Sequence, residues 1–514
     1  MRRMSFKPDA SFFKYIAIGA VGVRAVIDDM NRHGHELREL ERGATETKLW
    51  KDIKRKRIRI PDLVCTRCGL RIESRAKTAR ILAMSHSRSE RERSWDYGMV
   101  DDDLIAFPVC SNSDELYEST GRLHGSMSYW RERRWDKWIA DGGINYLAVR
   151  CLRAIAPDEN AEKGVTEGSE GTVAWSSIFS SRDGLVECII ENRKIRVRFD
   201  DGRCYTWENR KNLPVVAQEG QRVQAGQLLA SKAIPITLDE LTCRHDLNDN
   251  HLARLIESRE RTQRFTGVKL ARLLRRPAFV DAIRPLFADP EEDAYVRMEA
   301  ACYLATVCDM DARGLFGDYL ADPDDQVKLE TVITLAEVPT DQAVNILAEI
   351  LTNGGCPFFL RSAAAWALSC IGGRPSVQHL LTAFSDVDSS IRQEALTGII
   401  AMSGDALPHL LDGMVSENAD IAAGCAEAIR EIGNLSPEMI ARLAADAQQV
   451  NVHPWITWLL GNLPREQVAP FVAQYQDARP ELHYALSVLW CFVESWIAQQ
   501  WEPYIPGSHP VVEE

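Results

Sequence analysis

The groups best able to do chemistry lie within one short run: Lys56-Arg57-Ile58-Arg59-Ile60-Pro61-Asp62-Leu63-Val64-Cys65, then Thr66-Arg67-Cys68-Gly69, then Leu70-Arg71-Ile72-Glu73-Ser74-Arg75-Ala76-Lys77. Its apolar-polar alternation, broken by a knuckle containing Gly, predicts two strands joined as a hairpin. Side chains on a strand alternate between faces, so Glu73, Arg75 and Lys77 share one face of the second strand. If the strands pair across the knuckle, Asp62 lies beside Glu73 on that face. Two convergent carboxylates bind a hard divalent ion such as magnesium, and a cation two positions along orients the attacking water or offsets charge developing on phosphorus. That is the arrangement of a phosphodiesterase.

The knuckle itself, Cys65-Thr66-Arg67-Cys68-Gly69, has the form of a zinc knuckle, in which Gly lets backbone amides turn toward thiolate. A tetrahedral site wants two further ligands, and no second Cys-x-x-Cys exists in the chain. Cys110 and His86 are candidates to complete it. The competing reading is two buried or idle thiols. Zinc at a hairpin tip is compatible with the acid pair, since it would stiffen the strands that bear Asp62 and Glu73.

Pro61-Asp62 followed by Glu73-Ser74-Arg75 resembles the PD-(D/E)xK nuclease motif. The resemblance implies a restriction-endonuclease-like α/β fold, a magnesium ion on Asp62 and Glu73, and a nucleic-acid substrate, DNA in preference to RNA. It departs in one place: the family sets Lys two residues after the second acid, where this chain has Arg75, with Lys77 one pleat later. Arg holds phosphate well but cannot act as a base at its high pKa, so Lys77 must supply that role or the site is inactive. The family also often takes a Glu from the preceding helix, and Gly43-Ala44-Thr45-Glu46 offers a helix start with Glu46 in its first turn.

Charge supports a polyanionic partner for this part of the chain. The protein carries a net −13, yet residues 1–100 hold 23 Lys/Arg against 13 Asp/Glu, and residues 51–59 alone hold six cations. The remaining chain is strongly acidic, so any phosphate recognition belongs to the basic head. Trp130, Trp135 and Trp138 among Arg131, Arg133 and Arg134 could stack on bases, although core packing is the more ordinary use. Asp101-Asp102-Asp103 reads as a turn, and Ile16 to Arg24 as a strand or buried helix. His33 and His35 read as surface residues.

Positioning these groups requires more than a hairpin, and the 514 residues fall into three compositional regimes. Residues 1–155 are basic and mixed. Residues 160–235 are Gly- and Val-rich: Lys194-Ile195-Arg196-Val197-Arg198-Phe199 alternates, Asp200-Asp201-Gly202 turns, and Cys204-Tyr205-Thr206-Trp207 resumes. Two glycines bracket the following unit, Glu219 to Ala230. This stretch resembles a barrel-sandwich hybrid and is similar to a segment of the bacterial RNA polymerase β subunit. Lipoyl and biotinyl carriers share that topology but present a Lys at a hairpin tip, whereas Lys232 lies beyond the unit, which favours a structural or docking module.

Residues 245–500 are acidic, rich in Ala and Leu, and repetitive. The junctions Val296-Arg297, Val327-Lys328, Leu360-Arg361, Ile391-Arg392 and Ile421-Ala422 recur at spacings of 31, 33, 31 and 30. Helix pairs of this length bury an apolar face only by stacking on neighbours. The pattern resembles HEAT repeats, which implies concave surface for a protein partner and no catalytic groups of its own.

The expected architecture is therefore multidomain: an α/β nuclease-like domain, a small β barrel-sandwich module and an all-α HEAT-like solenoid. The domain combination suggests a component of bacterial antiviral defence. Thirteen cysteines without a secretory leader predict a reducing, cytoplasmic setting, and the longest apolar stretches are too short or too charged for a membrane. The alternative is a scaffold without catalysis, a degenerate nuclease fold with a zinc knuckle that binds nucleic acid or protein.

Overall fold

The computed structural model describes residues 10–45, 58–87, 90–112, 138–140, 142–158, 171–243, 247–433, 435–448 and 454–501. The chain divides into two compact units, Met1–Met310 and Asp311–Glu514. Small sheets fill the first and helices the second.

In the first unit, helix α1 (Ala10–Arg32) precedes strands β1 (Leu37–Glu39), β2 (Leu63–Cys65), β3 (Arg71–Ser74), β4 (Leu82–His86), β5 (Leu104–Phe107), β6 (Cys110–Asn112), β7 (Trp138–Ala140) and β8 (Asn145–Ala148). A five-stranded sheet runs β1-β2-β3-β5-β8, with β3 and β5 parallel and its other neighbours antiparallel. One face presents Leu63, Cys65, Ile72, Leu104 and Ala106 to Val23, Val26 and Met30 of α1. The run read as strand or buried helix is thus a helix, and its apolar face closes this core. On the other face, Ile105, Phe107 and Leu147 pack with β4 and β9 (Gly171–Trp175).

At Gly22 helix α1 passes close to the segments that follow β3 and β5. A Cβ built there would stand 2.5 Å from the Ala76 Cβ and 3.1 Å from Pro108. Replacing Gly22 by Ala should therefore cost stability by overpacking, about 1–3 kcal/mol, despite the better helix propensity of Ala. Gly19→Ala on the same helix meets nothing within 4 Å and should be neutral or mildly stabilising. Denaturant midpoints of the two variants check this, and equal shifts would refute it.

The middle of the chain forms strands β10 (Ser177–Phe179), β11 (Gly184–Ile190), β12 (Lys194–Phe199), β13 (Cys204–Glu208), β14 (Arg222–Val223) and β15 (Leu228–Ser231). β12 and β13 make the hairpin read from the sequence, with Val197 opposite Tyr205 and Gly202 in the left-handed region at φ 82°. Val186, Ile195, Val197 and Val223 form its buried core. The Lys232 amine sits 3.5 Å from Asp158, an ion pair rather than a free arm.

After two short helices, α2 (Val149–Arg153) and α3 (Leu238–Leu241), the first unit ends in α4 (Asp249–Ile256), α5 (Arg261–Leu273), α6 (Val280–Ala288) and α7 (Ala294–Val307). These helices join the sheet through buried polar contacts. Arg71 of β3 reaches the Thr266 hydroxyl at 3.2 Å, and the Lys269 amine reaches the Leu40 carbonyl at 3.3 Å. Glu299 of α7 pairs with both Arg42 and Arg272, all three side chains buried.

The second unit repeats helix pairs whose junctions match the sequence spacing. Val327, Leu360 and Ile391 are buried. Asp324, Asp388 and Asn418 cap the helices Asp325–Leu335, Ser389–Met402 and Ala419–Ile432, satisfying first-turn amides that would otherwise lack partners. Where the junction carries an Arg, that side chain ties its helix back to the preceding turn. Arg361 Nε donates to the Leu351 carbonyl at 2.8 Å, ten residues back, and in the first unit Arg297 Nε does the same to Phe287 at 3.1 Å. Small residues let the helices approach: a Cβ on Gly424 would collide with the Phe384 ring.

Candidate functional site

The register of the hairpin decides whether the two acids meet. Leu63 stands opposite Ile72 and Val64 opposite Arg71. Continuing that antiparallel pairing one step sets Asp62 opposite Glu73, and residues directly opposite share a face. This is the face away from α1. Asp62 accepts the Ser74 amide on Oδ2 at 2.8 Å, which fixes its carboxylate at the end of β3. Relative exposures are 8% for Asp62 and 3% for Glu73, so both acids are largely covered.

The cations follow in the expected order. Beyond β3 the chain stays extended, with Arg75 donating its amide to Ala106 at 2.8 Å and Lys77 to Pro108 at 3.0 Å. Arg75 places a guanidinium nitrogen 2.9 Å from Glu73 Oε1. Its Nε is buried without an acceptor among the described residues. Burial, and then the nearby charge of Arg75, holds the Lys77 amine below its ordinary pKa. Glu46 and residues 51–57 of the basic run lie outside the described residues, as do Trp130, Trp135 and Arg131, Arg133 and Arg134. Trp138 is buried against Ile18 and Cys110.

Three residues, His35, Cys110 and His86, take different places from those expected. His35 is buried rather than on the surface. Cys110 and His86 do not join Cys65 and Cys68: the Cys110 thiol faces the Ile18 carbonyl at 3.8 Å, and His86 Nδ1 lies 3.4 Å from the Trp95 amide. Instead, single ligand atoms of His35, Cys65, Cys68 and Cys243 lie within 4.8 Å of one another. A hydrogen bond from Cys68 holds the Cys65 thiol below its ordinary pKa.

Asp103, expected in a turn, does accept the Val100 amide at 2.7 Å, and it also holds Arg71 through two contacts of 2.8 and 2.5 Å. Asp101 and Asp102 are exposed and pair with Arg153 and Arg150.

Comparison with known proteins bears on the C-terminal helices. They form a helical repeat. More particularly they are HEAT-like, since residues 315–400 match the HEAT-repeat family. None of the curated proteins matches the chain. Similar solved structures include YibA of Escherichia coli, at 16% identity and TM-score 0.24, covering 47% of this chain and 92% of that one. The complex of CpcE and CpcF of phycocyanin lyase from Nostoc is similar at 16% identity and TM-score 0.24, covering 46% and 96%. Human deoxyhypusine hydroxylase is similar at 18% identity and TM-score 0.18, covering 44% and 84%. Among the described residues no helix is long and apolar enough to cross a membrane.

Proposed function

We propose that this protein is a magnesium-dependent nuclease of the PD-(D/E)xK kind, acting on DNA in preference to RNA, with its helical repeat engaging a protein partner. What supports the reading is the register of β2 on β3, which carried one residue further sets Asp62 against Glu73, together with the pairing of Arg75 with Glu73 and the position of Lys77 two residues on. Two hard carboxylates fit a hard divalent cation, and Asp62 and Glu73 would hold it. Magnesium supplies charge neutralisation on the phosphate and a bound water of lowered pKa. Arg75 keeps Glu73 in place and offers nitrogen donors to a phosphate oxygen. Lys77, its ammonium disfavoured by burial, takes the proton of the attacking water. Glu46 would assist from the preceding segment. The β module between sheet and helices serves as a docking or structural element of the barrel-sandwich kind, and a nuclease joined to a repeat scaffold suits antiviral defence.

The deciding experiment is cleavage of plasmid and of RNA by the full-length protein with and without magnesium, against variants at Asp62 and Glu73. A second reading has its own support. The near-complete burial of both acids favours a scaffold that keeps the fold without the activity. Indistinguishable wild type and variants would decide for the scaffold.

If Lys77 is the base, it works only when neutral. Its pKa is depressed, so the rate should climb about tenfold per pH unit below that pKa and level off above it, at a pH lower than an ordinary lysine would give. Lys77→Met should flatten the ascending limb. An unchanged pH–rate profile in that variant would remove Lys77 from the mechanism.

A further inference from the structure

Three distant stretches of chain converge at the knuckle between β2 and β3. The Thr66 amide donates to the Glu36 carbonyl at 2.9 Å, the Arg67 guanidinium donates to the Gly34 carbonyl at 2.8 Å, and the Cys243 amide donates to the His33 carbonyl at 3.1 Å. Leu247 closes the set by donating its amide to the Arg67 carbonyl. Inside this knot lie one imidazole and three thiols, and each of the chain's cysteines is free of disulfide.

We infer that His35, Cys65, Cys68 and Cys243 form a closed structural zinc site. One nitrogen and three sulfurs are a donor set that zinc takes tetrahedrally, at about 2.0–2.1 Å for nitrogen and about 2.3 Å for sulfur, which spaces the ligand atoms by about 3.5–3.8 Å. The four atoms here are already gathered within 4.8 Å, and His35 Nδ1 stands 3.5 Å from the Cys68 sulfur. The histidine is also set for ligation. Its Nε2 donates to the Leu241 carbonyl at 2.7 Å, which leaves Nδ1 as the lone-pair nitrogen facing the sulfurs. A carbonyl on the second ring nitrogen is how metal-bound histidines are ordinarily oriented. Gly69, at φ 78°, gives the knuckle the turn that returns its amides toward sulfur.

Four protein ligands leave no open position, so the ion would fasten structure rather than activate water. It would pin the segment that follows α3 to the hairpin that carries Asp62 and Glu73. The site does not depend on the nuclease reading.

The test is elemental analysis of the full-length protein after purification and dialysis. About one zinc per chain is expected. Loss of even a partner behind the ligands commonly costs about 10–100-fold in metal affinity, so His35→Ala and Cys243→Ser should each lose most of the metal. Cys151→Ser, a half-buried thiol outside the cluster, should keep it. Zinc retained in full by both ligand variants, or a wild-type protein with clearly substoichiometric zinc, overturns the inference. Should the ligand variants precipitate, cobalt exchange into the wild type decides: tetrahedral d–d bands with thiolate charge transfer are expected, and a weak octahedral spectrum counts against it. A chain carrying Asp62→Asn and Glu73→Gln should retain its zinc, which separates this outcome from failure of the nuclease reading.

Discussion

Asp62→Asn and Glu73→Gln are each expected to reduce magnesium-dependent cleavage by at least about a thousandfold. The charge stabilisation that a bound divalent ion supplies is worth several kcal/mol, and about 1.4 kcal/mol corresponds to each tenfold in rate. The amides are the informative replacements because they keep the packing. Asn at 62 still offers an oxygen to the Ser74 amide, and Gln at 73 still offers one to Arg75, so melting temperatures should stay near wild type while activity is lost. Groups that act on one ion are not additive, so the double variant should be little worse than either single one. Single-turnover rates on plasmid provide the measurement. A variant that retains wild-type rates would withdraw its residue from the metal site.

The second large effect is on stability. Arg71 and Asp103 form a two-point ion pair with both side chains almost fully buried. Arg71→Ala leaves the Asp103 carboxylate without that partner and should cost about 3–5 kcal/mol, while an apolar replacement of both partners should recover most of it. The cost should depend on pH in a definite direction. Burial already pushes the Asp103 pKa up, against the pull of Arg71. Without Arg71 the folded-state pKa rises further above the unfolded value, so the charged form is penalised more. The deficit is then largest at neutral pH and shrinks as acid protonates Asp103. Urea titrations at two pH values would expose a deficit that instead stays constant.

How much of this was legible in the sequence depended on the separation of the interacting groups. The pairing of β2 with β3 could be read because a period of two and a short knuckle fix a hairpin's register locally. The helical repeat could be read because Val296, Val327, Leu360 and Ile391 recur at nearly constant intervals, and each of these junction residues is buried in the structure. His35 and Cys243 could not be joined to Cys65 and Cys68 in this way. No spacing links them, because one follows the end of α1 and the other comes after the whole β module. The faint signals were a His just beyond a helix-ending Gly, and a Cys just before the helical array. Asp103 was equally hidden, since a turn residue that doubles as the partner of a buried Arg looks like any turn residue until the sheet is assembled. The same holds for Arg42, Glu299 and Arg272, whose meeting depends on packing between α5, α7 and the loop after β1.

Those last contacts set where the protein can be cut. A fragment ending near residue 240 would strip Arg42 of Glu299, Arg71 of Thr266, the Leu40 carbonyl of Lys269 and the cysteine trio of its third member, so it should precipitate when expressed alone. A piece that keeps all of these contacts must run through α7. Transplanting the sheet into another protein as a ready-made cassette would therefore mean carrying the opening helices along with it.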